Sequence, residues 1–379
     1  MRTAVLGELC DFLSGGTPDR KKGEYYGGEI PWISGADITA NSIRPRSFIT
    51  ELALNRSAAR LVPQGTVLLV TRTSIGKVTV ADTGLAFSQD ITALLPRPGL
   101  DPRFLVHFLK SQKQELLKKA RGATIKGVTR EAVASLRVPV FSVHDQRRIA
   151  DILDKADALR AKRREAIAHL DSLGQSIFQE MFGEARSDSF PIRRLGELVD
   201  FYAGSSLPEG DTFMGQEDGY LLLKVSDMNR VGNESKIVSA ALWSKVPGPK
   251  SGTLPSGSLI LPKRGASIAT NKKRVVERPS VLDPNLMGIH PGSDLSITFL
   301  RAFFENFDLA SITSGSSVPQ LNKKDLSPIE VSVPPTELQA AFVLKMAQLD
   351  SLKAKNRAEL AELDNLFLSL QDRAFKGEL

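Results

Sequence analysis

Two copies of one pattern run along this chain, and an internal repeat constrains the fold more than any other feature of a sequence. The segment Leu-Gly-Glu-Leu at residues 6–9 recurs at residues 195–198. Gly-Thr-Val-Leu-Leu at residues 65–69 matches Gly-Ser-Leu-Ile-Leu at residues 257–261, which places Arg72 opposite Arg264. Further matches follow in the same order: Gln146 with Gln339, Asp157 with Asp350 and Phe182 with Phe375. The repeat predicts one duplicated unit with small insertions in its loops.

Each copy begins with a segment that predicts a mixed α and β domain. Short β-rich runs, at residues 67–70, 77–80, 220–225 and 258–261, are bounded by Gly, Pro and Ser. Apolar spacing predicts helices over residues 104–120 and 297–312. Asp101-Pro102 is typical of a helix start, with Asp101 as cap and Pro102 in the first turn.

Each copy ends with a predicted long helix, over about residues 145–182 and after Pro334-Pro335. Apolar residues recur there at spacings of three and four, as in helices that pack along a seam. In the first helix the seam is Ile149, Ile152, Ala156, Leu159, Ala166, Leu170, Leu173 and Ile177, with Arg163 in one polar position. In the second it is Phe342, Met346, Leu349, Leu352, Leu360, Leu363, Leu366 and Leu370, with Asn356 opposite Arg163.

The predicted fold class is therefore α+β. Two pseudo-twofold-related globular α/β domains are separated by an antiparallel pair of long coiled-coil helices. The predicted boundaries are 1–142 for the first globular domain, 143–186 for the first helix, 187–335 for the second globular domain and 336–379 for the second helix. Such helices would hold two globular domains at a fixed separation.

Basic residues are in excess in the first globular domain only. Residues 1–142 contain 20 Lys and Arg against 12 Asp and Glu, whereas residues 187–335 contain 16 of each. A basic surface attracts polyanions, mainly because phosphates release counterions on binding. The charge favours a nucleic-acid partner without requiring one, since many soluble proteins are mildly basic.

The sequence lacks the motifs that are expected of several classes of enzyme. We find no GxxxxGK[ST] phosphate loop and no GxGxxG dinucleotide fingerprint. The four histidines are scattered without metal-ligand spacing, and Cys10 is the single cysteine. One enzymatic alternative stays open: Asp227, Glu234 and Lys236 resemble the acids and lysine of a magnesium-dependent nuclease. The first copy has Arg44 and Arg46 in the corresponding region, which disfavours that reading.

The repeated head-plus-helix plan resembles the specificity subunit of type I restriction-modification systems, the HsdS family. The resemblance covers essentially the whole chain. It is carried by the motifs at residues 6–9, 65–69, 122–124, 138–139, 146–149 and 178–183, and in the second copy by residues 195–198, 257–261, 315–317, 339 and 375–377. One departure is that the usual Glu-Gln pair at the helix start is Asp145-Gln146 here, and Leu338-Gln339 in the second copy.

The resemblance implies a non-catalytic subunit with two target recognition domains, each reading one half of a split, asymmetric DNA sequence. It implies double-stranded DNA, two modification (methyltransferase) subunits and restriction or translocase subunits as partners. S-adenosylmethionine, ATP and Mg²⁺ would belong to those partners and no cofactor to this chain. We expect a cytoplasmic protein without a membrane span. The alternative is a duplicated coiled-coil adaptor that joins proteins and has only non-specific affinity for DNA.

Base reading requires side chains on base edges, and registration requires side chains on phosphates. Polar and basic residues near the repeated arginine are the candidates. In the first copy they are Thr71, Arg72, Thr73, Ser74 and Lys77, then Lys126, Arg44 and Arg46. In the second they are Lys263, Arg264, Ser267, Asn271, Lys272, Lys273 and Arg274, then Ser316, Gln320 and Lys323. No catalytic or metal-binding residue is predicted.

Overall fold

A computed structural model describes residues 2–39, 42–122, 126–183, 190–313 and 319–379. The chain forms two compact units. The first unit comprises Met1–Arg164 and Ala358–Leu379, and the second comprises Glu165–Arg357. Each unit therefore contains one globular part together with a portion of both long helices.

Among its described residues, the first unit contains ten strands, five short helices and portions of both long helices. The strands are β1 (Thr3–Val5), β2 (Cys10–Ser14), β3 (Tyr26–Ile33), β4 (Ser47–Ile49), β5 (Leu61–Val62), β6 (Val67–Val70), β7 (Val78–Val80), β8 (Leu85–Phe87), β9 (Ile91–Pro96) and β10 (Arg137–Pro139). The helices are α1 (Leu6–Leu9), α2 (Glu51–Arg56), α3 (Pro102–Ser111), α4 (Lys113–Lys119), α5 (Arg130–Ala134) and the first part of α6 (Val143–Phe182).

The two main sheets of the first unit have the strand orders β2-β9-β6-β7 and β4-β3-β8-β5, and β1 pairs with β10 separately. Strand β6 is buried on both faces, because alternate residues serve two cores. Val67 and Leu69 belong to the core that includes α3 and the long helices, whereas Leu68 and Val70 belong to the core between the sheets. This two-sided burial explains why the repeated motif is a continuous apolar run.

The second unit repeats this plan with twelve strands, three short helices and portions of both long helices among its described residues. The strands are β11 (Ile192–Arg194), β12 (Val199–Ala203), β13 (Asp211–Thr212), β14 (Tyr220–Leu223), β15 (Lys236–Ile237), β16 (Leu242–Ser244), β17 (Thr253–Leu254), β18 (Ser258–Pro262), β19 (Arg274–Val276), β20 (Ser280–Leu282), β21 (Leu286–Pro291) and β22 (Glu330–Ser332). The helices are α7 (Leu195–Leu198), α8 (Ile297–Glu305), α9 (Lys323–Leu326) and α10 (Thr336–Lys376). The sheet orders are β12-β21-β18-β19-β15, β13-β16-β14-β20-β17 and β11-β22.

The predicted short helices are confirmed with two differences of form. Asp101 caps α3 by accepting from the amides of Arg103 and Phe104, and Pro102 occupies the first turn, as the sequence predicts. The single helix predicted over residues 104–120 is divided into α3 and α4 at Gln112. The helix predicted over residues 297–312 ends at Glu305, and a 3₁₀ turn covers Leu309–Ile312.

Within each unit the portions of α6 and α10 pack in opposite directions. In the first unit Arg160 Nε lies 2.6 Å from Asp364 Oδ1, and Arg163 lies 2.7 Å from a Glu359 oxygen. In the second unit the rings of Phe178 and Phe342 are 5.8 Å apart. Residue numbers on α10 fall as those on α6 rise, so the predicted antiparallel pairing is confirmed inside each unit.

The predicted seam is wrong at four positions, where the inward-facing residue is the next one along the chain. Leu159, Leu173, Leu352 and Leu366 are each between 44% and 55% exposed. Their neighbours Arg160, Gly174, Lys353 and Phe367 face inward. The guanidinium of Arg160 lies 4.2 Å from the centre of the Phe367 ring. A Cβ at Gly174 would lie only 3.2 Å from Met346 Cε, so glycine permits close helix packing.

Each long helix is fixed to its globular part by one buried glutamine. Gln146 of α6 and Gln339 of α10 are 4% and 3% exposed, and each makes three hydrogen bonds to backbone groups. The two residues matched by the sequence repeat therefore have the same structural role. Asp145, which stands where the related sequences have glutamate, still forms a local helix cap, since the Ser142 hydroxyl donates to Asp145 Oδ2.

Candidate nucleic-acid interface

Several strands of the first unit end at one edge of its sheets. The last residue of β2, Ser14, pairs with Thr92, and the last residue of β6, Val70, pairs with Ile91. The end of β3 lies beside them, because the Ser88 amide donates to the Ile33 carbonyl oxygen (2.8 Å). The described segments that leave the strands here are residues 15–25, 34–39, 42–46, 71–77 and 88–90. We call this surface the loop edge of the first unit.

The second unit has a loop edge built in the same way. β12 ends at Ala203, which pairs with Met287, and β18 ends at Pro262, which pairs with Leu286. The Asp283 amide donates to the Leu223 carbonyl oxygen (3.0 Å), as Ser88 does to Ile33 in the first unit. The corresponding segments are residues 204–210, 224–241, 263–273 and 283–285.

Arg72 is held on the first loop edge by its backbone while its side chain is exposed. It forms an antiparallel bridge with Gly127, and the Val128 amide donates to the Thr71 carbonyl oxygen (2.9 Å). On its other side, the Asp90 carbonyl oxygen accepts from the amides of Thr71 and Arg72 (2.8 and 3.3 Å). The backbone of this arginine is therefore fixed from two neighbouring segments.

Arg264 occupies the equivalent position in the second unit. It forms an antiparallel bridge with Gln320, and the Leu321 amide donates to the Lys263 carbonyl oxygen (2.9 Å). The Lys263 amide in turn donates to the Asn285 carbonyl oxygen (2.7 Å). These contacts repeat those around Arg72, and the Arg264 side chain is also exposed. The match between the two arginines in the sequence is therefore a match in backbone geometry.

A buried aspartate shapes each loop edge. Asp37 is 6% exposed; its Oδ2 accepts from the Ser34 amide and hydroxyl, and its Oδ1 is paired with Arg46 Nε at 2.8 Å. Asp227 is 2% exposed and accepts from the amides of Lys224 and Ala241, both at 2.9 Å. Both carboxylates cap the turn that follows the equivalent strands β3 and β14.

The placement of Asp227 does not support the nuclease alternative. Its carboxylate is used by two backbone amides, so it lacks the open coordination that a catalytic Mg²⁺ requires. Its structural counterpart in the first unit is Asp37, not Arg44 or Arg46 as the sequence comparison suggested. Across the described ranges there is no group of three or more His, Cys, Asp or Glu able to hold a metal ion.

The structure brings most first-unit candidates together and removes one. Lys77 Nζ donates to the Gly35 carbonyl oxygen (3.3 Å), which joins the Arg72 segment to the segment that contains Arg44 and Arg46. Lys126 lies next to Gly127 and is exposed. Thr73 is exposed with a positive φ of 60°, and Ser74 is half-buried. Thr71 is 5% exposed and hydrogen-bonded to Thr92, so its hydroxyl does not reach the surface.

The second-unit candidates divide into exposed and buried groups. Arg264 and Lys323 are exposed, and Ser267, Lys272 and Gln320 are half-buried. Lys263 is half-buried, and burial together with the charge of Arg264 lowers the pKa of its ammonium. Ser316 lies outside the described residues.

Three of these candidates, Asn271, Lys273 and Arg274, have structural contacts instead. Asn271 adopts the left-handed conformation and its Oδ1 accepts from the Leu309 amide (3.0 Å). Lys273 is 4% exposed and donates to the Phe307 carbonyl oxygen (2.7 Å), and burial lowers its pKa to about 8. Burial, then the neighbouring Arg301, lowers the pKa of Arg274. We leave Lys273 out of the interface, because a buried ammonium does not reach a phosphate.

Sequence reasoning missed two basic groups on the first loop edge. Arg121 is exposed and is bridged to Gly127, the residue that also pairs with Arg72. Arg20 and Lys21 are exposed in the segment that follows β2. A run of basic residues after Gly15-Gly16 was the available signal, but nothing in the sequence placed it beside Arg72.

Comparison with known proteins shows which proteins this chain is similar to. Residues 2–169 match the family described as "Type I restriction modification DNA specificity domain". The specificity subunit of the type I restriction enzyme MjaIX of Methanocaldococcus jannaschii is 25% identical over 229 residues, which are 54% of this chain and 53% of the relative. The specificity subunit of EcoR124I/EcoR124II of Escherichia coli is 29% identical over 183 residues, 46% of this chain and 45% of the relative. The matched part thus spans about half the length of these two curated relatives.

A solved structure from a study of complex assembly and conformational transition of the type I R-M system has the same fold. The likeness covers 100% of this chain and 98% of that chain, with a TM-score of 0.62 and 20% sequence identity. In sequence and in fold, this chain is therefore similar to specificity subunits of type I restriction-modification systems. Among the described residues, none of the helices is long and apolar enough to cross a membrane.

Proposed function

We propose that this chain is the non-catalytic, sequence-specific DNA-binding subunit of a type I restriction-modification complex. Each globular part reads one half of a bipartite, asymmetric target. The observation that carries this proposal is the repeated arginine: Arg72 and Arg264 have the same backbone contacts on equivalent loop edges and are both exposed. A guanidinium suits this task, since it can donate two hydrogen bonds to the O6 and N7 of a guanine.

The exposed and half-buried candidates on each loop edge form the proposed reading surface. In the first unit they are Arg44, Arg72, Thr73, Ser74, Lys77 and Lys126. In the second they are Lys263, Arg264, Ser267, Lys272, Gln320 and Lys323. The two sets differ in sequence and in backbone, since a 3₁₀ turn over Gly265–Thr270 follows Arg264 only. We therefore expect the two half-sites to differ as well.

We propose that the long helices set the spacing of the half-sites and dock two modification subunits. DNA repeats its groove geometry about every 10 base pairs, so a fixed helix length would select one spacing. Leucines exposed on the helices support a docking role. They are Leu159, Leu366 and Leu368 in the first unit, and Leu173, Leu344 and Leu352 in the second. The proposal includes the predicted domain boundaries at residues 142, 186 and 335. It also includes restriction subunits as further partners.

Methylation-sensitive sequencing of host DNA, with and without the gene, tests the function directly. A split motif that loses its methylation when the gene is removed supports the proposal, and unchanged methylation contradicts it. The adaptor alternative also has exposed leucines in its favour. It predicts that the full chain, with modification subunits added, gives no gel shift with a duplex that carries the host's methylated motif.

Variants of the two arginines test the readout. Arg72→Ala should weaken binding of the full chain to its target by about 1–3 kcal/mol and relax preference in one half-site only. Arg264→Ala should do the same for the other half-site. Arg97→Ala is the matched control, because Arg97 lies at the opposite end of β2, beside the Cys10–Pro96 pair. If both arginine variants bind like this control, neither arginine reads a base.

A further inference from the structure

The segment that follows β2 forms a compact turn on the first loop edge, which we call the basic turn (residues 19–22). The Lys21 amide donates to Asp19 Oδ1 (3.0 Å), and the Lys22 amide donates to the Asp19 carbonyl oxygen (3.1 Å). The Tyr26 hydroxyl donates to the Pro18 carbonyl oxygen (2.8 Å). The backbone is therefore ordered without using the side chains of Arg20 and Lys21, which are exposed.

Lys22 differs from these two residues. Its ammonium donates to the Tyr25 hydroxyl (3.3 Å) and lies 5.1 Å from the centre of the Tyr25 ring. Among the described residues, Arg20 and Lys21 make no side-chain hydrogen bond or ion pair. Two cationic groups on an ordered backbone therefore remain available for an external anion.

The basic turn lies on the same surface as Arg72. Thr17 donates to the side-chain oxygen of Gln89, which ties the segment before the turn to residues 88–90. The next residue, Asp90, accepts from the Arg72 amide through its carbonyl oxygen. Gly16 is also fixed nearby, since its amide donates to the Phe87 carbonyl oxygen (3.0 Å). A continuous set of hydrogen bonds thus connects the basic turn to the proposed reading arginine.

The second unit has the opposite charge at this position. The Ser205 amide donates to the Leu282 carbonyl oxygen (2.9 Å), which repeats the contact of Gly16 with Phe87. The residues that correspond to Arg20 and Lys22 are Glu209 and Asp211. Residues 15–22 contain three basic residues and one acidic residue, whereas residues 204–211 contain two acidic residues and no basic one.

We propose that Arg20 and Lys21 bind DNA phosphates next to the half-site read by the first unit, and that the second unit makes no such contact. The proposal rests on the DNA-binding function proposed above. Phosphate contacts carry no base sequence, but they fix register and add affinity that falls with salt. At this turn, the first unit then makes two phosphate contacts that the second unit lacks.

The test is the salt dependence of DNA affinity of the full chain, measured on a random-sequence duplex and on the target. Removing two phosphate contacts should reduce the slope of log affinity against log salt by about 1.8, at about 0.9 for each contact. We expect this from the double variant Arg20→Glu/Lys21→Glu, together with weaker binding at low salt. Lys21→Gln, which removes the charge and keeps a polar side chain, should reduce the slope by about half as much.

Two controls make the result specific. The double variant Arg97→Glu/Arg137→Glu has the same charge change at the other end of β2, since Arg97 follows the Cys10–Pro96 pair and Arg137 pairs with Val5. It should leave the slope near the wild-type value. The reciprocal variant Glu209→Lys should steepen the slope, because it adds a cation to the equivalent turn.

The outcomes separate this inference from the function on which it rests. Wild-type binding with an unchanged slope in the basic-turn variants overturns the inference and leaves the function standing. An equal loss in the Arg97→Glu/Arg137→Glu control also overturns it, because the effect is then one of net charge. Absence of DNA binding by the wild-type chain with its modification subunits overturns the proposed function itself.

Discussion

Replacing Gln146 by leucine should separate the first globular part from its long helix. Gln146 Oε1 accepts from the Asp101 amide (2.8 Å), and Nε2 donates to the carbonyl oxygens of Gly99 (2.9 Å) and Phe141 (3.0 Å). Asp101 is also the cap of α3. One buried amide thus connects the first turn of α6 to the start of α3.

The magnitude follows from the groups left without partners. Leucine keeps most of the volume but leaves one amide and two carbonyl oxygens unsatisfied in a site that is 4% exposed. At about 1 kcal/mol for each lost bond, and somewhat more for a buried unsatisfied group, the loss should be about 3–4 kcal/mol. Gln339→Leu should cost the second unit a similar amount, because it loses bonds to Ser296, Asp294 and Pro334.

Hydrogen exchange under native conditions measures this locally, which is necessary because two compact units need not unfold together. Gln146→Leu should reduce protection in residues 99–111 and 141–160 and leave residues 294–305 unchanged, and Gln339→Leu should do the reverse. The exposed Gln114→Leu is the control and should change stability by less than about 0.5 kcal/mol. A change below about 1 kcal/mol in Gln146→Leu, or equal changes in both units, would refute the reasoning.

Three further perturbations test contacts in the second unit. The folded state holds the Lys273 proton less tightly than the unfolded chain, since its pKa is about 8 instead of 10.5. This lowers the free energy of unfolding fully below pH 8, and the penalty is lost as the pH rises toward 10.5. In denaturant titrations the wild-type chain should therefore gain at most about 3 kcal/mol of stability between these limits, and the Lys273→Met variant should lack this gain. Gly174→Leu should destabilise by about 1–3 kcal/mol through overpacking against Met346, whereas Gly174→Ala should be nearly neutral in thermal unfolding, because the gain in helix propensity offsets the tight contact. Asp227→Ala should lower the unfolding free energy by about 2–3 kcal/mol by leaving two amides unpaired; Mg²⁺-dependent DNA cleavage by the wild-type chain, abolished in this variant, would instead restore the nuclease alternative.

The repeat made much of this fold predictable from sequence, because duplicated positions keep duplicated backbone roles. Gly65 and Gly257 both adopt positive φ, 87° and 74°, at the turn into β6 and β18, which explains why the motif begins with glycine. Strands β6 and β18 were also recognisable, since strands buried on both faces are continuous apolar runs.

The helix seam was less predictable because apolar spacing does not recognise polar residues that face inward. Arg160 packs its guanidinium on Phe367 and also pairs with Asp364, so a charged residue is buried along its stem. Leu159, beside it, is exposed. A pattern of hydrophobic residues assigns such a position to the leucine, and only the partner helix shows that the arginine occupies it.

The candidate site was predictable in position and less so in membership. The sequence places Arg72 and Lys77 between two strands, which is where loops with binding roles occur. It cannot show that Phe307, 34 residues away along the chain, covers Lys273, or that Thr92 covers Thr71. Burial of a loop residue depends on distant segments, and propensity and local pattern contain no information about them.

Comparison of the two loop edges distinguishes residues that the fold requires from residues that can vary with the DNA target. Asp37 and Asp227 cap equivalent turns, and the same backbone contacts hold Arg72 and Arg264. The segments between these fixed points differ: 34–46 contains the Arg46–Asp37 pair, whereas 224–241 contains Asn233, which is fully buried and bonded to four backbone groups. A scaffold that fixes the arginine while its neighbours change can read different bases without refolding. If the proposed function holds, exchanging residues 187–335 for those of a similar specificity subunit should alter one half of the methylated motif and leave the other half and the spacing intact. A change in both halves would show that the units do not read independently.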